Sequence, residues 1–364
     1  MKIAYTHQAF MDQRYGGISR YLVKLAEEMR KSGNDPRIFP AVHQNAYVQK
    51  GHPDHAPGLN LAWLPAFPKP LVFPLNQFIN SRQIRNWNPD IVHETLYSPR
   101  DLRHIKKPLV ITVHDLINEK LPHCSYKAKE NIALKRRAIE RADHIICVSE
   151  NTRKDLLAYY NVNESDVSTV HHGVDNLTDK EECPESRENM ILYVGLRARY
   201  KNFNRLVQAY ASSSVMNSSY KIVTLGGKPF SSSEKEFFTK LGLAKDQVQR
   251  VEGNDSTLDS LYRRASVFVY PSLYEGFGIP PLEAMMRGCP VAASRVSSIP
   301  EVTGDAASMF DPYDIDEMRQ AIEQVLLDDS FRLKLVQSGY ERIPLFSWQK
   351  CAEKTLEIYN GLLS

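Results

Sequence analysis

Glu275 and Glu283 bracket a turn, Glu-Gly-Phe-Gly-Ile-Pro-Pro-Leu-Glu, that follows an apolar run ending at Tyr270. The run has the length of a buried strand, and Pro280 and Pro281 suit the first turn of a helix. At a helix start the backbone amides lack intrahelical acceptors and the dipole is positive, so an anion is held there. Pro280 and Pro281 have no N–H, which leaves the backbones of Gly278, Ile279, Leu282 and Glu283 as donors. Gly276 and Gly278 let the chain approach a ligand with no side chain in the way. A diphosphate fits those amides, and flanking carboxylates accept from the paired hydroxyls of sugars. Glu283 would hold a ribose and Glu275 a hexose. On the two glutamates alone, an acidic turn before a capped surface helix is an equal reading.

The whole string Tyr270–Ala284 resembles the E-x7-E motif of the family 4 retaining glycosyltransferases with the GT-B fold, where E-G-F-G is followed by P-x-L-E-A. The resemblance extends over nearly the whole chain. Arg14-Tyr15-Gly16-Gly17-Ile18-Ser19-Arg20-Tyr21 looks like the family's glycine-rich loop, which assigns Gly16 and Gly17 to the donor phosphates. Tyr193–Asn202 looks like the segment in which an arginine and a lysine neutralise the leaving diphosphate. Lys201 stands at the usual spacing from Gly195, but Leu196 occupies the commonest arginine position, so Arg197 takes that role with Arg199 as the alternative. Leu109–Asp115 is a buried strand ending in His-Asp, and the resemblance sets His114 beside the donor sugar. Val148-Ser149-Glu150 and His172-Gly173-Val174-Asp175 match family landmarks that read as structural, a helix start and a turn.

These assignments imply retaining transfer of a hexose from a nucleoside-diphosphate sugar to a saccharide or lipid-linked saccharide in polysaccharide biosynthesis. UDP-hexose is the expected donor, with GDP-mannose its rival. The implied catalytic pair is His114 and Glu275, and the implied donor-binding set is Gly16, Gly17, Arg197, Lys201, Gly276, Phe277, Gly278, Ile279, Leu282 and Glu283. No metal or other cofactor is expected, the nucleotide sugar being a substrate. The one Asp-x-Asp match, Asp314-Ile315-Asp316, opens an amphipathic helix, where acidic residues complement the dipole. Preorganised cations and amides would take the place of an ion. A sugar-nucleotide epimerase or hydrolase and a non-catalytic binding protein are the alternatives. A nicotinamide oxidoreductase is disfavoured, since neither half has a full G-x-G-x-x-G after a strand.

The elements that must position these residues are legible as alternation. Short apolar runs recur between longer helical patterns, the signature of parallel sheets built from βαβ units. Strands are expected at 2–6, 90–93, 109–113, 144–148 and 167–170, and again at 191–194, 221–225, 267–270 and 291–293. The architecture is therefore α/β, with two Rossmann-like doubly wound domains facing across a cleft, as the GT-B resemblance implies. Residues 1–175 form the acceptor-side domain and 183–345 the donor-side domain. The polar stretch Asn176–Asn189 is the linker, and a final helix over 346–364 is expected, crossing back to the first domain as an option. The segment Gly51–Asn76, rich in proline and aromatics, reads as loop with short helices. The turns around Gly226-Gly227-Lys228 and Val251–Leu258 would face the nucleotide base.

At 364 residues, 42% hydrophobic and 24% charged, the chain has the composition of a globular protein of two domains. A net charge of +3 argues against a nucleic-acid partner. Basic residues cluster at Arg82, Arg85, Arg100, Arg103, Lys106 and Lys107, and at Lys127, Lys129, Lys135, Arg136 and Arg137. A solvated helix face is the first reading, and peripheral contact with an anionic membrane is the second. Five scattered cysteines without metal-ligand spacing fit a reducing cytoplasm. The N-terminus enters a strand with no signal-peptide pattern. A cytoplasmic protein is expected, with the inner face of the plasma membrane as a peripheral site.

Overall fold

The computed structural model describes residues 1–12, 16–50, 56, 58–61, 63, 69–99, 102–125, 127–175 and 187–364. The linker at 176–186, with Cys183, lies outside them, as do Arg14, Tyr15 and Arg100. The chain divides into two units, one of residues 1–173 with 347–364 and one of residues 174–346.

The first unit holds a six-stranded sheet of β1 (Lys2–Tyr5), β2 (Asp35–Ile38), β5 (Ile91–Glu94), β6 (Leu109–Val113), β7 (His144–Cys147) and β8 (Val167–Thr169), in the order β2-β1-β5-β6-β7-β8. All its pairings are parallel. β6 is buried at every position, as a strand covered on both faces must be. A separate parallel pair, β3 (Ala41–His43) and β4 (Gly58–Asn60), lies outside this sheet. The expectation of loop with short helices over Gly51–Asn76 is corrected there, for β4 falls inside it and a 19-residue helix, Lys69–Trp87, begins within it. Pro74 sits inside that helix, and proline is what disguised its period.

The second unit repeats the plan with β9 (Glu188–Val194), β10 (Lys221–Leu225), β11 (Val248–Val251), β12 (Ala265–Tyr270), β13 (Val291–Ser294) and β14 (Ala307–Phe310), ordered β11-β10-β9-β12-β13-β14. The chain runs outward from β9 to β10 and β11, then returns to lay β12 on the other side of β9. The loops after β9 and β12 therefore diverge at a topological switch point, where open parallel sheets bind ligands. Phe203, Leu206, Val207 and Tyr210 from the following helix pack with Met318, Ile322 and Val325 in the core of this unit.

The last helix, Trp348–Gly361, belongs to the first unit. Trp348, Cys351, Ala352, Thr355 and Tyr359 form its buried stripe at helical spacing, and Trp348, Cys351, Ala352 and Tyr359 join the core that includes Tyr21, Leu22 and Leu25. Gly173 makes the close approach possible, because a Cβ there would collide with the backbone of Ser347 and Trp348. Among the described residues, no helix is long and apolar enough to cross a membrane, and no three His, Cys, Asp or Glu side chains group so as to hold a metal ion. Asp314 caps the helix Ile315–Leu327, accepting from the amides of Asp316 at 2.9 Å and Glu317 at 3.0 Å.

The second basic run is not uniformly a solvated face or a patch. Lys135 is buried, with its ammonium 2.9 Å from Glu119 and 2.7 Å from the carbonyl of Asp115. Arg141, on the same helix, is buried against Glu94.

Candidate active site

β12 ends at Tyr270, and the chain turns through Pro271–Gly278 into the helix Ile279–Met286. Gly278 caps that helix with φ 117°, a conformation that excludes ordinary side chains. Phe277 and Leu282 are core side chains, so a role for either in ligand binding runs through its backbone. Two serines fix the turn from outside. The hydroxyl of Ser298 donates to the carbonyls of Glu275 at 2.9 Å and Phe277 at 2.7 Å, and the amide of Glu275 donates to the Ser297 hydroxyl at 3.0 Å. Sequence reasoning misses both serines. Their signal is Ser-Ser-Ile-Pro after β13, which reads as a helix cap, whereas the Ser298 hydroxyl serves the neighbouring turn.

Because β9 and β12 are adjacent, the loop after β9 lies beside this turn. The amide of Leu273 donates to the carbonyl of Tyr200 at 2.7 Å, joining the two loops. That bond brings Lys201 and Glu275 together, ammonium to carboxylate at 2.6 Å, with side chains 17% and 13% exposed. The ammonium also lies 5.3 Å from the centre of the Tyr270 ring. Burial, with the Glu275 carboxylate beside it, raises the Tyr270 phenol well above its ordinary pKa, so it remains a neutral donor. Glu283 lies one turn into the helix, its carboxylate 3.5 Å from the Tyr262 hydroxyl.

Arg197 is placed differently from Lys201. Its Nε donates to Glu234 at 2.6 Å and its Nη2 to the carbonyl of Lys228 at 2.7 Å, while the guanidinium lies 4.5 Å from the centre of the Phe230 ring. Burial pushes the Glu234 carboxyl up, but Arg197 and the Ser231 groups outweigh it and hold the carboxyl below the usual range. Arg199 is exposed in the 3-10 turn Arg199–Lys201.

In the first unit, Gly16 caps the helix Gly17–Lys31 in extended conformation, and its carbonyl accepts from the amide of Arg20 at 3.0 Å. A Cβ on Gly17 would meet nothing, so the position is open to solvent. His114 follows β6. Its ring meets Tyr21 edge-on at 5.7 Å and stacks on His172 at 5.9 Å, and its buried Nε2 has no hydrogen-bond partner among the described residues. His114 thus stands at the carboxyl end of β6, the edge of an open parallel sheet at which ligands are bound in such folds. Behind it runs a chain from Tyr21 through Thr112 at 3.3 Å and His93 at 2.9 Å to the Tyr359 hydroxyl at 2.5 Å.

Burial lowers His114 to about 4 and His93 to about 3, and takes His172 well below its ordinary value. These imidazoles are neutral when folded and take up protons on unfolding, where histidine titrates near 6.5. The stability they contribute is present in full above about pH 6.5 and is lost as pH falls toward the folded values. Thermal melts of the first unit's transition are expected to hold steady from pH 8 to 7 and drop progressively below 6.5. A midpoint unchanged between pH 7 and 5 would contradict neutral burial.

Two family models match the chain: "Glycosyltransferase Family 4" over residues 15–176 and "Glycosyl transferases group 1" over residues 175–342. Among similar proteins, the O-antigen chain mannosyltransferase B of Escherichia coli is 28% identical over 315 residues, covering 81% of each chain. The MMP alpha-(1->4)-mannosyltransferase of Mycolicibacterium hassiacum is 28% identical over 323 residues, covering 83% of this chain and 77% of the relative. Among solved structures, the sucrose-phosphate synthase of Thermosynechococcus elongatus superposes with a TM-score of 0.74 at 22% identity, covering 99% of this chain and 98% of that one. WaaG, a glycosyltransferase involved in lipopolysaccharide biosynthesis, gives 0.76 at 16% identity over 99% and 100%.

Proposed function

This chain belongs to the family 4 glycosyltransferases and has the GT-B fold, and from that premise we propose that it moves a mannosyl residue from a nucleoside diphosphate to a saccharide or lipid-linked saccharide, with retention and without a metal. The observation that carries the reading is the Lys201–Glu275 pair at the switch point of the second unit's sheet. The ammonium there meets the leaving diphosphate, whose oxygens gain charge as the glycosidic bond breaks, and the amides after Phe277 share that charge. Glu275 and Glu283 accept from hydroxyls of the sugar and the ribose. Their place on the donor leaves the departing phosphate to take the acceptor proton on the same face, which gives retention. His114, a neutral imidazole, serves as a polar contact to a sugar hydroxyl.

The choice of mannose rests on the names of the relatives, both mannosyltransferases along most of their length. It puts GDP-mannose ahead of the UDP-hexose expected from the motifs. The structural neighbours bear on the fold alone. The test is a donor screen by calorimetry followed by transfer assays in EDTA. GDP and GDP-mannose are expected to bind more tightly than UDP and UDP-glucose, and turnover to survive chelation with an α-linked product. A β-linked product, or activity restored only by a divalent ion, sinks the mechanism. Tighter UDP binding sinks the choice of sugar donor alone.

A further inference from the structure

The Gly226-Gly227-Lys228 turn after β10 is held by two arginines from opposite sides. Arg197, from the loop after β9, donates to the carbonyl of Lys228 at 2.7 Å. Arg250, on β11, donates through Nε at 3.2 Å and Nη2 at 2.9 Å to the carbonyl of Gly227. β9 and β11 flank β10 in the sheet, so each guanidinium reaches inward over one neighbouring strand. The glycines are required by this arrangement. Gly226 and Gly227 have φ of 98° and 70°, and a Cβ on Gly227 would come within 2.9 Å of Arg197 Nη1. Across a trans peptide the carbonyl and amide point opposite ways, so tying the Gly227 carbonyl to Arg250 turns the Lys228 N–H to the other side. Pro229 has no N–H, and the carbonyl that precedes it is the one Arg197 takes.

Arg197 is committed through Nε and Nη2, while its buried Nη1 has no hydrogen-bond partner among the described residues and lies against the Gly227 backbone. Its side chain is 7% exposed, its charge is met by Glu234, and Glu234 closes a capping box with Ser231, whose amide it accepts at 2.8 Å. Turning Arg197 toward a phosphate would break its pair with Glu234 and leave that half-buried carboxylate without its cation.

We propose that Arg197 and Arg250 are positioning residues that clamp the Gly226-Gly227-Lys228 turn as a platform for the nucleoside half of the donor, and that Arg197 does not touch the diphosphate. The proposal rests on the nucleotide-sugar reading above. It is tested by calorimetry with GDP, GMP, UDP and UMP on the full chain. For R197A, the clamp predicts an equal loss of affinity, about tenfold, for a nucleoside diphosphate and its monophosphate. In turnover, the loss falls in the donor KM rather than in kcat. E234Q is expected to weaken both nucleotides in the same way, and R197A/E234Q to add little to either single change. A diphosphate ligand would behave otherwise: R197A would weaken GDP and spare GMP, and E234Q would free the guanidinium and tighten GDP. Either result overturns the proposal. Should R197A fail to fold by its melting curve, R250A carries the same test, and undiminished binding of both nucleotides by it overturns the clamp. Wild-type protein that binds none of the four overturns the donor reading and the clamp together.

Discussion

Alanine at Lys201 is expected to lower kcat by about a hundredfold or more, the range seen when one preorganised group facing developing charge is removed. The reason is local. Lys201 is held in place by the Leu273–Tyr200 backbone bond, lies over the Tyr270 ring, and is paired with Glu275 at 2.6 Å in a mostly desolvated site. In that setting a unit charge acts through a dielectric well below that of water. In the proposed mechanism, Lys201→Ala removes the charge that meets the leaving diphosphate and leaves the Glu275 carboxylate to repel it. Lys201→Arg keeps the charge, on a planar head that does not match the ammonium's position. It should recover part of the loss. The measurement is single-turnover kinetics with saturating donor, set beside donor affinity by calorimetry. A kcat within a few-fold of wild type for Lys201→Ala would remove the central element of the proposed mechanism.

What could be read in advance follows from how much of each feature is local. The turn from Glu275 to Glu283 is contiguous, so glycines, prolines and carboxylates appear in the sequence in the order in which they line the fold. Lys201 is singled out by the resemblance of Tyr193–Asn202 to the family segment, where it stands at the usual spacing from Gly195. The partner of Arg197 was not, because Glu234 lies 37 residues on and meets it only after β10 is laid beside β9. The serines behind Glu275 escaped for the same reason, being supplied by the loop after β13. Among strands, the central ones were all legible as buried apolar runs. The ones missed in the two large sheets, β2, β11 and β14, are edge strands. Asp-Pro-Arg-Ile and Val-Gln-Arg-Val show why for β2 and β11, since these edges carry charge or proline.

The buried ion pair of Arg141 and Glu94 gives the largest expected effect on stability. Helix Ala128–Arg141 is so rich in charge that sequence alone sends its cations to solvent, yet its last residue points inward. Arg141 donates through Nε at 3.1 Å to one Glu94 oxygen and through Nη2 to the other, with side chains 5% and 0% exposed. Glu94 also accepts the Ser98 amide at 2.8 Å, so its carboxylate organises the chain that leaves β5. Desolvating both charges offsets most of their attraction, which makes the intact pair nearly neutral against an apolar alternative. Removing one member is different, for it strands a charge where water cannot reach it. Arg141→Ala is expected to cost about 3–5 kcal/mol, read as a lower urea midpoint for the first unit. Arg141→Met combined with Glu94→Leu should recover most of that loss. A urea midpoint for Arg141→Ala equal to wild type would mean that the pair is solvated after all. A double variant no better than the single would mean that Glu94 matters through Ser98 rather than through its charge.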